Sequence, residues 1–294
     1  MKIGTLDPVL LSRLEALRLS VRSVRWGNRL GGRFTINRRG SSIEFADYAV
    51  YTPGDEIQAI DWSLYARLDR LFVKTYKEDV ELTVEILVDA TASMTLPTPE
   101  KFIRACRLAL CLGYVSVASG HQVRISAIRP GPPKISPWMI RRSDLPRLTE
   151  WMESQDPGGA TELSAWMRHG VSALRMRGGQ AVVISDWMHR QADAFRALHA
   201  LLGRHMELKL IQVLTPDELN PVRMVRGGLV IDSETGQTHE LAYSAAELAA
   251  AVAEHNEQLA RFCRRRGIVF AQHRLDESLE TFLFTRLPKR GFLE

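Results

Sequence analysis

The sequence predicts an α/β protein: a mostly parallel sheet with helices on both faces, preceded by a small N-terminal β-rich module. Three observations predict it. From residue 81 onward, short apolar runs alternate with longer segments of helical period, over some 200 residues. Two of those runs, Leu82–Val88 and Ala181–Ser185, are continuously apolar and rich in β-branched residues, as strands buried on both faces are. Residues 33–80 break the pattern, with turn signals such as Pro53-Gly54-Asp55 between short extended stretches.

Each element has a local reason. In residues 6–26, Leu10, Leu14, Leu17, Val21 and Val24 recur at steps of four and three, so an amphipathic helix is expected there. Gly27 to Gly32 ends it, which makes residues 1–32 a basic helix and linker. In the module spanning 33–80, Asp61 is placed to cap a short helix over 62–68, Trp62 is expected to be buried, and 71–76 alternates as a strand. The remaining residues, 81–294, form the α/β domain. Its strands are expected at 82–88, 123–128, 181–185, 208–214 and 268–272. Its helices are expected at 99–119, 143–152, 162–176, 192–204, 245–266 and 277–287. Residues 229–231 and 238–241 flank Asp232-Ser233-Glu234-Thr235-Gly236 and predict a hairpin insertion near 229–241.

Composition narrows the function. The 294 residues carry a net charge of +5, but the excess is local. Residues 1–40 hold nine basic and two acidic side chains; the other 254 hold 30 and 32. A near-neutral body with one basic segment is not a nucleic-acid-coating protein, and no specific nucleic acid is expected as a partner. Arg18, Arg22, Arg25 and Arg29 share one helical face, a candidate surface for an acidic partner or anionic membrane. The longest apolar run, Leu108–Ala118, is too short for a bilayer, which needs about 20 residues. Cys106, Cys111 and Cys263 have no CxxC spacing and read as reduced, buried thiols. A cytoplasmic protein, at most peripheral to the membrane, is expected.

In a parallel sheet, ligands bind beyond the carboxyl ends of the strands. There the sequence places Asp89-Ala90-Thr91-Ala92-Ser93 after one central strand and Ser185-Asp186 after another. Between them, Gly158-Gly159-Ala160-Thr161-Glu162-Leu163 delivers Thr161 to the start of a helix. Each residue alone reads as a helix cap. Together, Asp89, Thr91, Ser93, Thr161 and Asp186 offer two carboxylates and three hydroxyls with no thiol or imidazole, a hard-oxygen set suited to Mg²⁺, Mn²⁺ or Ca²⁺. His121, His169 and His189 are single and are expected in loops or at the surface.

These three segments resemble the metal-ion-dependent adhesion site of von Willebrand factor type A domains. The resemblance implies a type A-like sheet domain and assigns Asp89, Thr91 and Ser93 to the first element, Thr161 to the second and Asp186 to the third. Thr91 replaces the usual Ser, and Ala160 separates the glycine pair from Thr161. Upstream, Arg39-Gly40, Glu44-Phe45, Tyr51, Pro53-Gly54-Asp55, Ile60-Asp61-Trp62, Ala66-Arg67 and Val73-Lys74 resemble the bacterial family of domain of unknown function fifty-eight, although Ala49 stands where that pattern has Arg. This resemblance implies a partner of the MoxR-type AAA+ ATPase class, a chaperone-like adaptor role, and a protein client presenting an Asp or Glu to the ion.

Catalysis has little support in the sequence. It contains no Gly-x-x-x-x-Gly-Lys loop, no Gly-x-Ser-x-Gly elbow and no His-x-x-x-His pair. A non-enzymatic interaction module is expected. The alternatives are an Mg²⁺-dependent hydrolase with Glu162 as base, or a docking protein acting through the arginine-rich helix.

Overall fold

A computed structural model describes residues 1–20, 44–52, 60–77, 83–159, 163–173, 179–204, 206–220, 229–231, 238–240 and 244–294. Contacts divide the chain into two units: Met1–Val24 with Leu82–Glu294, and Arg25–Glu81.

In the larger unit, a six-stranded sheet has five parallel strands. They are β3 (Thr83–Asp89), β4 (Gln122–Ile128), β6 (Gln180–Ser185), β7 (Glu207–Leu214) and β10 (Val269–Arg274). A two-residue strand, β5 (Lys134–Ile135), runs antiparallel on the β4 edge. The order is β10-β7-β6-β3-β4-β5. The chain therefore leaves β3 for β4 on one side and returns to β6 on the other. That reversal opens a crevice at the carboxyl ends of β3 and β6, where α/β sheets take their ligands.

Helices cover both faces, as expected. On one, α3 (Glu100–Ala118) is buried along nearly its whole length beside α4 (Leu145–Glu153). On the other lie α5 (Leu163–Ala173), α6 (Gln191–Leu202) and α8 (Ala245–Arg265). β3 serves both cores by its alternation: Val84, Ile86 and Val88 face one, Leu87 the other. The cysteines are all buried and free, and burial pushes Cys111 and Cys263 up to about 12.

The N-terminal helix is shorter than its apolar period suggests. Asp7 caps it, Pro8 opens it, and α1 ends at Leu14 instead of continuing to residue 26. Leu10 and Leu14 enter the core as the stripe requires, whereas Val21, Val24 and Arg22 to Arg39 lie outside the described residues. Pairing with the C-terminus accounts for the early stop. Arg18 N–H donates to the Glu294 carbonyl at 2.8 Å, Glu294 N–H returns to Arg18 at 2.9 Å, and Ser20 N–H donates to Phe292 at 3.2 Å. Beneath them, the fully buried Lys209 ammonium donates to the Ser20 carbonyl and, at 2.9 Å, to that of Phe292. These backbone groups are satisfied only if the segment is extended.

In the smaller unit, β1 (Glu44–Val50) pairs antiparallel with β2 (Phe72–Lys77), with a register shift between Phe45 and Asp47. Between them, α2 (Trp62–Leu68) starts at Asp61, whose carboxylate accepts from Ser63 and Leu64 N–H at 3.0 and 3.1 Å. Trp62 corrects the expectation of burial: it is 59% exposed and meets Tyr65 edge-on. It opens a helix on which no residue is buried. Residues 53–59, holding the Pro-Gly-Asp turn, lie outside the described residues. β8 (Leu229–Ile231) and β9 (Thr238–Glu240) form the antiparallel pair expected near 229–241, their connection lying outside the described residues. Among the described residues, no helix is long and apolar enough to cross a membrane.

Gly179 turns into β6 at φ +82°, and a Cβ there would stand 2.3 Å from the Thr83 carbonyl oxygen. Gly179→Ala is expected to destabilise the α/β unit by at least about 2 kcal/mol in urea unfolding. His273, at zero exposure on β10, accepts at Nε2 from Arg104 at 2.9 Å, which leaves its proton on Nδ1. Burial, helped by Arg104, lowers its pKa to about 3. The unfolded chain binds this proton below about 6.5 and the native state does not, so stability falls as pH drops from there toward 3. In imidazole ¹⁵N spectra, His273 is expected to stay neutral at pH 4.5; titration near 6.5 would contradict the packing.

Candidate metal centre

β3 ends at Asp89, and the chain turns at once into the short 3₁₀ turn Ala92–Thr95 that precedes α3. The turn is pinned from both sides. Ala90 N–H donates to Ile128 at 2.9 Å, Gly158 N–H donates to Ala90 at 2.9 Å, and Ala92 N–H donates to Gly159 at 3.0 Å. Gly159 has φ +72°, and a Cβ there would meet Pro130 Cγ at 2.8 Å, so the close approach needs glycine. The glycine pair thus lies against the Asp89 turn. Ala160, Thr161 and Glu162 lie outside the described residues, and α5 begins immediately after them.

Asp89 collects protons from its neighbours. Thr91 gives its backbone N–H at 2.9 Å and its hydroxyl at 2.7 Å to Oδ1; Ser185 gives its hydroxyl at 2.6 Å to Oδ2. Ser93 Oγ stands 3.1 Å from Thr91 Oγ1. A hydroxyl has one proton and two lone pairs, so once Thr91 has donated to Asp89 its oxygen is free to face a cation. Asp89 and Thr91 are fully buried. Burial raises the Asp89 pKa and Asp186 adds to this, against the opposing pull of His189 and the two hydroxyls. The site holds more negative charge than it can comfortably keep ionised.

Asp186 follows β6 and is 1% exposed. Trp187 after it has φ 56°, a left-handed conformation costing about 1–3 kcal/mol in a side-chain-bearing residue. Three contacts hold the turn. Trp187 N–H donates to Ser185 Oγ at 3.0 Å, His255 Nε2 donates to the Trp187 carbonyl at 2.7 Å, and Gln212 donates to the Asp186 carbonyl at 3.0 Å. Asp186 Oδ1 accepts from Met188 N–H at 3.1 Å, and Oδ2 accepts from Lys101 Nζ at 3.0 Å. Burial pushes the Asp186 carboxyl up, but Lys101, His189 and the Met188 N–H outweigh it and hold its pKa below the ordinary value.

Lys101 is at zero exposure in the first turn of α3, and also reaches Glu218 Oε1 at 2.5 Å. Glu218 belongs to α7 (Pro216–Leu219), where it closes a capping box with Thr215 through reciprocal bonds of 2.8 and 3.1 Å. Burial pulls the Lys101 pKa down; Asp186 and Glu218 more than reverse this, so the ammonium stays charged.

Asp89, Asp186 and His189 each present a ligand atom, and these lie within 4.8 Å of one another. The structure therefore gathers Asp89, Thr91 and Ser93 in one turn and Asp186 opposite them, with Thr161 undescribed. His189 lies in the loop between β6 and α6, as expected, but its side chain is only 5% exposed and stands beside Asp89. Its signal was the spacing Asp186-x-x-His189, which brings a side chain back over the strand end. Lys101 also had a signal. A lysine in the first turn of a helix opposes the helix dipole and calls for an acidic neighbour. The donors fit a divalent cation: two buried carboxylates, a hydroxyl with its proton already committed, and a buried imidazole without a hydrogen bond.

Residues 47–261 match the family described as Protein of unknown function DUF58. The chain belongs to that family. The DUF58 match encloses every candidate ligand as well as Lys101 and Glu218. Uncharacterized protein Rv1480 of Mycobacterium tuberculosis is 27% identical over 302 residues, covering 98% of this chain and 92% of that one. Uncharacterized protein Mb1516 of Mycobacterium bovis matches to the same extent. Among solved structures, BatB from Bacteroides thetaiotaomicron covers 71% of this DUF58 chain at 14% identity with a TM-score of 0.39, over 98% of its own length. The SpRpn10 VWA domain covers 71% at 12% identity with a TM-score of 0.40, over 96% of its length.

Removing Lys101 would leave Asp186 buried without a counter-charge. Lys101→Met is expected to cost about 3–5 kcal/mol in urea unfolding with chelator present. Lys101→Met combined with Asp186→Leu is expected to recover most of the loss. Additive losses would show that the pair does not matter as a pair.

Proposed function

We propose that this chain is a non-enzymatic protein-interaction module that takes an acidic side chain of a partner at the β3/β6 crevice. One observation carries the reading: strand order reverses where Asp89, Thr91 and Ser93 come together with Asp186, and Asp89 absorbs the hydroxyl proton that would otherwise face a cation. Asp89, Thr91, Ser93 and Asp186, with Thr161 as the sequence resemblance implies, would hold Mg²⁺, Mn²⁺ or Ca²⁺. An ion held so supplies a Lewis-acidic position for an outside carboxylate oxygen. The chain's own residues set its character. Asp89 orients the hydroxyls, Lys101 and Glu218 fix Asp186, and the Trp187 turn sets the direction in which that carboxylate points.

The partner in this proposal comes from the sequence resemblance and not from geometry. The family resemblance supports an adaptor for a MoxR-type AAA+ ATPase in chaperone-like assembly, with a client protein that presents an exposed Asp or Glu. A cytoplasmic location, peripheral to a membrane where the arginine-rich N-terminal segment meets an anionic surface, belongs to the same proposal. Its contribution is narrower than the sequence count suggests: Arg13 is paired with Glu280, and Arg18 donates to the carbonyls of Glu15 and Leu17. The hydrolase alternative rests on Glu162, which lies outside the described residues.

A pull-down of the cognate ATPase tests the proposal, with Mg²⁺ or with EDTA, for wild type and Asp89→Ala. Retention is expected to fall at least about tenfold on chelation or substitution. Equal retention in all four conditions would eliminate the ion-bridged interaction.

A further inference from the structure

His189 is the one member of the cluster that a hard-oxygen site does not call for. Its side chain is 5% exposed, and neither ring nitrogen has a hydrogen-bond partner. A buried polar group left so costs about 1–3 kcal/mol, so an orphaned imidazole needs a reason. Nε2 faces Asp89 Oδ2 at 3.8 Å, beyond hydrogen-bond reach. Two donors each about 2.1 Å from a shared ion at a tetrahedral angle are about 3.4 Å apart. The gap between Nε2 and Oδ2 is therefore near what an ion would occupy, and too wide for the direct bond an imidazole would otherwise make. Charge agrees. Asp89, Asp186 and Glu218 against the one ammonium of Lys101 leave two net negative charges for a divalent ion, and a neutral imidazole adds a donor without adding charge.

We propose that His189 is a nitrogen ligand of the crevice ion, and that the site accordingly prefers a first-row transition ion over Mg²⁺ or Ca²⁺. This rests on the reading that the crevice holds an ion, and it names the ion's class. Magnesium and calcium take oxygen donors, whereas imidazole suits the first-row ions beyond Mn²⁺; Mn²⁺, which accepts both donor types, is the paramagnetic probe of that class. The Asp186-x-x-His189 spacing would make the four residues after β6 a two-ligand arm, with the strained Trp187 turn setting the separation of its two donors.

The test uses the full chain freed of metal and titrated with Mn²⁺, with Mg²⁺ as competitor. The expected result is one bound Mn²⁺ with an imidazole ¹⁴N coupling in pulsed electron paramagnetic resonance. Mn²⁺ should bind at least about tenfold more tightly than Mg²⁺. In His189→Ala the coupling should vanish and the preference collapse while Mg²⁺ binding persists. Should that variant fold poorly, the ¹⁴N coupling in the wild type decides. Bound Mn²⁺ without nitrogen coupling overturns the role of His189 and leaves the ion reading standing. No binding of either ion overturns both.

Discussion

Two carboxylates are withdrawn from water at the ends of neighbouring strands, and much of the α/β unit serves to make that tolerable. Asp89 and Asp186 are each almost wholly buried. Ionised groups in such a place need partners, and the fold supplies them unequally. Asp186 receives a buried ammonium, itself braced by Glu218. Asp89 receives only hydroxyls and a backbone N–H, and its carboxyl stays above its ordinary pKa. One half of the pair is compensated by the chain. The other is left wanting a positive charge, which is the condition a cation site must be in before its ion arrives.

The surrounding architecture makes the placement stiff. Asp89 and Asp186 follow strands that are paired in register from Val84↔Gln180 to Val88↔Ile184. The loop carrying Gly158 and Gly159 is bonded to the Asp89 turn, and the Trp187 turn is held by Ser185 and His255. At the opposite end of β7 from the site, the termini close over the sheet: residues 18–20 pair with 292–294 above Lys209, whose buried ammonium meets backbone carbonyls. A partner at the crevice would meet a surface already organised, so little ordering would be needed on binding.

The sheet was legible because its strands are continuously apolar and its helices carry clear periods; Leu82–Val88 and Ala181–Ser185 reappear within a residue or two as β3 and β6. The candidate oxygen donors were legible as a group because ends of parallel strands are few. What escaped was decided by tertiary context. Leu17 continues the helical spacing, but residues 18–20 give their backbone bonds to the C-terminus. Trp62 is apolar yet sits at the exposed start of a helix that buries none of its residues. Lys101 looks like any helix lysine until Asp186 and Glu218 are brought to it from 85 and 117 residues away. His189 is a lone histidine in sequence, and only the turn at Trp187 returns it to Asp89.

The central claim is that the β3/β6 crevice holds a divalent ion. An anomalous-difference map from crystals grown with Mn²⁺, collected on both sides of the manganese edge, tests it most directly. The account predicts one strong peak between Asp89 and Asp186, beside the Thr91 and Ser93 hydroxyls. A map with no peak there at millimolar Mn²⁺, with Lys101 still bonded to Asp186, would contradict it.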